Sequence, residues 1–134
     1  MAQTESKTVL IVDDEETNRR AYAEMLELNN IKVLQAKDGQ DALEIYQDKT
    51  ATTDLVVLDI VMPRMNGLDA LKAMREINPQ CCCLVVTGYI DAEPLQEIIN
   101  LGIGGILRKP FGMSELLGWV NKLLADGACK PIDP

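Results

Sequence analysis

Five short apolar segments recur along the chain. They occupy residues 9–12, 31–34, 55–58, 81–86 and 106–107. Apolar runs of this kind, without regular alternation of polar residues, are typical of strands that are covered on both faces, as in a parallel sheet. The pattern therefore predicts five strands within one sheet.

The stretches after these segments carry apolar residues three or four positions apart, as on one face of a helix. The stripes are formed by Tyr22, Met25 and Leu26; by Ala42, Leu43 and Tyr46; by Leu68, Leu71 and Met74; by Leu95, Ile98 and Ile99; and by Met113, Leu116, Leu117, Val120 and Leu124. Glu16 and Arg20 stand four apart and are expected to pair on the solvent side of the first helix. Five alternations of strand and helix predict a doubly wound α/β fold with a five-stranded parallel sheet and five helices.

The composition of the chain limits the ligands and the catalytic chemistry that it can be expected to have. The chain has 134 residues, enough for one domain, and its 13 basic and 21 acidic residues give a net charge of −8. This charge disfavours electrostatic binding to nucleic acid or an anionic membrane and suits divalent cations. Histidine is absent, which excludes His-based acid/base catalysis, Ser-His-Asp triads and Cys/His zinc sites.

Nothing in the sequence predicts a membrane location. The longest apolar run, residues 81–86, is far shorter than the roughly 20 residues that span a bilayer. The N-terminus has neither the basic start nor the apolar stretch of a secretory signal. Cys81, Cys82 and Cys83 are consecutive in an apolar run and match no zinc spacing, so they are interpreted as small buried residues in a reducing compartment. The protein is expected to be cytoplasmic.

Reactive side chains come after four of the five predicted strands. Asp13 and Asp14 follow the first, Asp59 the third, Thr87 the fourth and Lys109 the fifth. The carboxyl ends of parallel strands share one edge of the sheet, where α/β proteins bind ligands. Carboxylates that meet there repel one another unless they bind a cation, and oxygen ligands without His or Cys favour Mg²⁺.

The same set suits phosphoryl transfer. A metal ion and a lysine neutralise the transferring group, and a carboxylate serves as the nucleophile. Asp59 stands alone at a central strand end, whereas Asp13 and Asp14 are adjacent and better placed as metal ligands. The sequence therefore favours Asp59 as the acceptor.

Four motifs in order resemble the receiver domain of two-component response regulators. They are VLIVDDE at residues 9–15, LDIVMPRMNG at 58–67, VTG at 86–88 and KPF at 109–111, with intervals of 46, 28 and 22 residues between Asp13, Asp59, Thr87 and Lys109. The resemblance covers residues 7–126 and implies a flavodoxin-like fold of the receiver type. Residues 1–6 are expected to form an N-terminal extension and residues 127–134 a C-terminal tail or linker.

The resemblance also implies the metal ligands. Asp14 and Asp59 would bind Mg²⁺ directly, together with the backbone carbonyl of Val61. Asp13 would act mainly through a metal-bound water.

Further implications concern the phosphoryl group. Asp59 would accept it from a partner's phosphohistidine, and Thr87 and Lys109 would contact its oxygens. The Lys109-Pro110 bond is expected to be cis. Ile106 stands where many similar domains place the Tyr or Phe of their conformational switch, so the path from phosphorylation to output is left open.

The implied partners are a sensor histidine kinase or phosphotransfer protein upstream and an effector domain or protein downstream. A homodimer through the fourth and fifth helices is an alternative to a monomer; Trp119 and Phe111 either belong to such a partner face or to the core. No direct contact with nucleic acid or membrane is expected. The only chemistry expected is self-phosphorylation and self-dephosphorylation, so the chain is not interpreted as an enzyme.

Three other functions compete with this interpretation. A phosphatase of the haloacid-dehalogenase type needs Asp-x-Asp after its first strand, where this chain has Asp-Asp-Glu. A flavodoxin-like cofactor binder needs a phosphate-binding loop at that place, where acids would repel phosphate. A receiver that is never phosphorylated and acts as a scaffold is the third, and Ile106 gives it some support.

Overall fold

The computed structural model describes residues 7–60, 67–88 and 92–125 of the chain. Five strands form one parallel sheet in the order β2-β1-β3-β4-β5. They are β1 (Thr8–Val12), β2 (Lys32–Ala36), β3 (Leu55–Asp59), β4 (Cys83–Thr87) and β5 (Gly105–Arg108). The predicted parallel sheet is confirmed, and its strand order reverses between β1 and β3.

Five helices cover the two faces of the sheet. They are α1 (Glu16–Glu27), α2 (Gly39–Lys49), α3 (Gly67–Ile77), α4 (Ala92–Asn100) and α5 (Met113–Leu124), with a 3₁₀ turn over Thr50–Thr52 after α2. One buried cluster joins α1 and α5 to the sheet, and a second joins α2, α3 and α4 to the other face. The doubly wound arrangement that the helical stripes predict is therefore confirmed.

Helix α1 shows how the pattern produces the packing. Tyr22, Ala23 and Leu26 are buried, as their spacing requires. On the opposite side, an Arg20 Nη1 atom lies 3.7 Å from a carboxylate oxygen of Glu16, and both side chains are about two-thirds exposed. The expected pair is confirmed, although an exposed pair of this kind contributes less than about 1 kcal/mol.

Strands β2 and β4 differ from the predictions. Strand β2 lies at an edge of the sheet and is only partly covered: Leu34 and Val33 pack on the core clusters of opposite faces, whereas Lys32 and Gln35 are exposed. Strand β4 begins at Cys83 rather than at residue 81, because the amide of Cys81 donates to the carbonyl of Asn78 in the turn after α3. An apolar residue can be buried in a turn as well as in a strand, and periodicity does not separate the two.

The cysteine run is buried as expected, but not all of it is reduced. Cys81 and Cys83 are free, and burial raises the pKa of both thiols, so they are protonated at neutral pH. Cys82 is bonded in a disulfide, and the prediction of a reduced thiol is wrong there. The fourth cysteine of the chain, Cys129, lies outside the described residues, as do the predicted extension and tail.

One face of the second edge strand, β5, is covered by an aromatic ring. A Cβ atom added to Gly105 would lie 2.3 Å from the ring of Trp119 on α5, so the indole packs directly against the strand backbone. Trp119 and Phe111 both pack on the core cluster of α1 and α5. Of the helices in the described part of the chain, none combines the length and apolar character of a membrane span.

Candidate functional site

Three carboxylates meet at the carboxyl edge of the sheet. Asp59 is the last residue of β3, and Asp13 and Asp14 directly follow β1, its neighbour in the sheet. One carboxylate oxygen from each of the three lies within 4.8 Å of the others. Asp13 and Asp59 are buried and Asp14 is exposed. The structure thus brings together the three acids that the sequence predicted to converge.

Asp13 is held by its backbone and by its side chain. Its amide donates to the carbonyl of Ala36 at 3.1 Å, and its Oδ1 accepts from the amide of Glu15 at 2.8 Å. Burial raises the pKa of Asp13; the Glu15 hydrogen bond opposes this effect, and the charge of Asp59 reinforces it. The charged form of Asp13 is therefore disfavoured where no cation is bound.

Lys109 joins the acid cluster from the end of β5. Its Nζ lies 2.9 Å from Oδ2 of Asp59, and its backbone amide donates to the carbonyl of Thr87 at 2.9 Å. Burial acts to lower the pKa of Lys109, but the hydrogen bond and the charge of Asp59 outweigh it, so the pKa lies above its ordinary value. Lys109 is therefore an ammonium at neutral pH. The Lys109-Pro110 bond is cis, as expected.

Thr87 ends β4 and is fully buried. Its Oγ1 has no hydrogen-bond partner within the described ranges. A buried hydroxyl without a partner costs roughly 1–3 kcal/mol, so a hydrogen bond to a group that enters the site would be favourable here. A hydroxyl in this state is suited to donate to an anionic oxygen.

The donor set fits a hard divalent cation. The cluster offers carboxylate oxygens only, which are the ligands that Mg²⁺ prefers in proteins. Three carboxylates and one ammonium leave two negative charges, which one divalent cation neutralises. Val61, whose backbone carbonyl was predicted as a further ligand, lies outside the described residues.

Gly67 sets the distance between α3 and the end of β3. Its amide donates to the carbonyl of Ile60 at 3.0 Å. A Cβ atom there would lie 2.6 Å from Cα of Ile60 and 2.8 Å from the carbonyl oxygen of Asp59, both of which are backbone atoms. Only glycine allows this approach without moving the segment that carries Asp59.

Gly67→Ala is therefore expected to lower the stability of the fold by about 1–3 kcal/mol, the usual range for an overpacked contact. Gly118→Ala is the matched control, because it also lies in a helix and a Cβ atom there meets nothing within 4 Å. That variant is expected to gain up to about 1 kcal/mol from helix propensity. Urea unfolding measures both; equal stabilities of the two variants would contradict the crowding at Gly67.

Two neighbours of the cluster were not anticipated from the sequence. Arg19 Nη1 donates to the backbone carbonyl of Asp13 at 2.8 Å. The rings of Tyr22 and Phe111 pack at a tilt of 33° with 5.6 Å between their centroids, and both line a cavity of about 470 Å³ that Lys109 also lines. One feature of the sequence could have pointed to Arg19: it lies on the same side of α1 as the buried Tyr22.

Ile106 lies in β5 and is half-buried against the core cluster of α2, α3 and α4. Its side chain fills this position as an ordinary packing residue. No ring is therefore available at this position to alternate between an inward and an outward orientation.

A doubly wound sheet whose carboxyl edge holds three acids, a lysine and a buried threonine defines a class of proteins, and comparisons with known proteins name it. The family model described as "Response regulator receiver domain" matches residues 9–121. The chain therefore belongs to the receiver-domain family of response regulators. Accepting a phosphoryl group is the general function of that family, so the predicted fold, family and general function are confirmed.

Individual relatives and a solved structure support the same family assignment. The chain is 37% identical over 130 residues to the autoinducer 1 sensor kinase/phosphatase LuxN of Vibrio campbellii, covering 94% of this chain and 15% of LuxN. It is 33% identical over 118 residues to the transcriptional regulatory protein CpxR of Escherichia coli, covering 87% of this chain and 48% of CpxR. The chain thus spans less than half the length of either relative. The structure of chemotaxis protein CheY4 of Vibrio cholerae superimposes with a TM-score of 0.81 at 31% identity, covering 90% of this chain and all of CheY4.

Proposed function

We propose that Asp59 is the phosphoacceptor of this receiver domain and that Asp13, Asp14 and Asp59 hold the magnesium ion the reaction needs. The observation that carries the proposal is the position of the Lys109 ammonium, 2.9 Å from the buried carboxylate of Asp59, beside two more acids. A lysine that only formed an ion pair would need no second and third carboxylate next to it.

The chemistry follows from these positions. An oxygen of the Asp59 carboxylate attacks phosphorus, the bond from phosphorus to the donor's imidazole nitrogen breaks, and that nitrogen leaves with the electron pair. Lys109 and the hydroxyl of Thr87 stabilise the negative charge on the phosphoryl oxygens. Bound magnesium supplies additional positive charge for the same oxygens.

The donor is a second protein or domain, because this chain contains no histidine. A sensor histidine kinase or a phosphotransfer protein has the required phosphohistidine. We assign Asp14, Asp59 and the carbonyl of Val61 as direct ligands and Asp13 as a ligand through water. The 2.8 Å bond from the amide of Glu15 already engages one Asp13 oxygen, which supports the indirect role.

Phosphorylation changes the charge at the site by about −1.5 to −2, and we propose that the hydroxyl of Thr87, at the end of the neighbouring strand β4, moves in response. We propose that this movement reaches a downstream effector through a surface formed by α4, β5 and α5. A second copy of the chain is the alternative partner for this surface. Because residue 106 is isoleucine, this path has no aromatic switch.

We also propose that residues 7–126 form the domain and that the protein is cytoplasmic.

Incubation with acetyl phosphate and Mg²⁺ tests the proposed function directly. Intact-mass spectrometry is expected to show one phosphoryl group per chain, and none when EDTA removes the metal. The small donor replaces the unidentified kinase and needs no partner protein. An unchanged mass at saturating Mg²⁺ would contradict the proposal and support the unphosphorylated scaffold instead.

Removal of one acid is expected to stabilise the metal-free fold. Asp13→Asn keeps the acceptor for the Glu15 amide but removes a buried charge, so the melting temperature in EDTA should rise by about 3–5 °C, for about 1 kcal/mol. Because the pKa of Asp13 is raised in the folded state, the wild type takes up a proton as the pH falls. The advantage of the variant should therefore shrink toward acid pH.

Mg²⁺ should raise the melting temperature of the same variant less than that of the wild type, because one of the three carboxylates that attract the ion is gone. Differential scanning calorimetry with and without Mg²⁺ measures both effects. Asp48→Asn is the control, because the Asp48 side chain is 78% exposed near the C-terminal end of α2 and is not one of the clustered acids. A variant at Asp13 that is less stable than the wild type in EDTA would show that the cluster is not under electrostatic strain.

A further inference from the structure

Arg19 and Arg20 are adjacent in α1 but have different surroundings. Arg20 is exposed and faces Glu16 on the helix surface. Arg19 is half-buried, and its Nη1 donates to the backbone carbonyl of Asp13 at 2.8 Å. Its Nε donates to Oε1 of Gln35 on the edge strand β2 at 3.2 Å. The guanidinium therefore bridges the exit of β1 and a second strand.

The residue that Arg19 contacts lies at the start of the acid cluster. The amide of Asp13 donates to the carbonyl of Ala36 in β2 at 3.1 Å, and the carbonyl of Asp13 accepts from Arg19. The amide of Asp13 is thus bonded directly to β2, and its carbonyl is linked to β2 through Arg19 and Gln35. The bond to Gln35 fixes the planar guanidinium of Arg19. A guanidinium fixed in this way restricts the peptide unit between Asp13 and Asp14 more than a guanidinium bonded only to that peptide would.

We propose that Arg19 is a positioning residue for the metal site, which holds the peptide after Asp13 so that the Asp13 and Asp14 carboxylates face one cation. This inference rests on the proposed function of the acid cluster. The carboxylates repel one another, so a loop without this restraint relaxes by turning them apart. Arg19 opposes that relaxation through the backbone and without contact to the metal or the phosphoryl group.

The test measures Mg²⁺ binding to the full chain by isothermal titration calorimetry, independently of phosphorylation. Arg19→Gln is expected to weaken binding about tenfold, the lower end of the usual effect of residues that orient metal ligands. Arg20→Gln removes the same charge one residue away and should bind within about twofold of the wild type. Equal binding by the Arg19→Gln variant and the wild type would overturn the proposal.

A second pair of variants separates geometry from charge. Arg19→Lys keeps the charge but cannot make both bonds, so it should bind Mg²⁺ nearly as weakly as Arg19→Gln; wild-type affinity in this variant would overturn the positioning role. Gln35→Ala should weaken binding in the wild type and have no further effect beside Arg19→Gln. Additive effects of the two substitutions would contradict a shared restraint. If Arg19→Gln fails to fold, as judged by circular dichroism, the Arg19→Lys and Gln35→Ala variants decide the matter.

Phosphorylation by acetyl phosphate distinguishes this inference from the proposed function. Arg19→Gln should need more Mg²⁺ for half-maximal rate and approach the wild-type rate at saturation. If the wild type takes up no phosphoryl group, the proposed function fails. If the wild type is phosphorylated and Arg19→Gln has the same Mg²⁺ dependence, only the role of Arg19 fails.

Discussion

Asp59→Asn is expected to reduce phosphoryl uptake from acetyl phosphate by at least about two orders of magnitude, because an amide oxygen is a much poorer nucleophile than a carboxylate. Asp59 is the acid that both lies at the end of the central strand and touches Lys109. Intact-mass spectrometry in Mg²⁺ measures the uptake. Asparagine has nearly the same shape, so the fold should be retained, and circular dichroism checks this.

Asp48→Asn is the matched control, because it makes the same chemical change at an exposed residue of α2. It should be phosphorylated like the wild type. Full uptake by the Asp59→Asn variant would place the acceptor at Asp13 or Asp14, and peptide mapping of the phosphorylated chain would show which. Asp59 would then be only a metal ligand and an ion-pair partner.

Lys109→Gln is expected to slow phosphorylation about 10²- to 10³-fold, the usual effect of removing one donor from a developing negative charge. The same substitution should strengthen Mg²⁺ binding, because the cluster loses its ammonium and becomes more negative. Mg²⁺ should therefore bind several-fold more tightly. Titration calorimetry and the rate of mass increase measure the two effects separately.

Lys72→Gln is the control for the loss of an ion pair. Lys72 also lies 2.9 Å from a carboxylate oxygen, that of Glu97, but both side chains are about half-exposed and the pair joins α3 to α4. Its loss should change the phosphorylation rate less than about twofold. A Lys109→Gln variant with both weaker Mg²⁺ binding and a normal rate would contradict the role assigned to Lys109.

The sequence was most informative about the sheet and about the residues at the ends of its strands. Apolar runs of four residues predicted β1 and β3 nearly to the residue, because a strand buried on both faces leaves little place for polar side chains. The position of Asp59 at the end of a strand could therefore be predicted from the pattern alone. The same reasoning was incomplete at β2, whose faces are only partly covered, because an apolar run does not show whether its strand is central or at an edge.

The cysteines illustrate a different limit. Their burial followed from their apolar surroundings, and Cys81 and Cys83 are indeed buried and free. The disulfide of Cys82 was missed, because a disulfide joins residues that chain folding brings together and spacing along the sequence does not encode that distance.

The sequence by itself determined which side chains reach the carboxyl edge of the sheet, because the strand pattern and the right-handed crossovers send every strand end to that edge. Only the tertiary structure decided how those side chains meet: that Lys109 bonds to Asp59, that the hydroxyl of Thr87 has no partner within the described ranges, and that Arg19 bonds to the carbonyl of Asp13. Such contacts depend on strand order, rotamers and helix packing over distances of a few ångströms. Those quantities arise from the whole core at once, and no local pattern along the chain contains them.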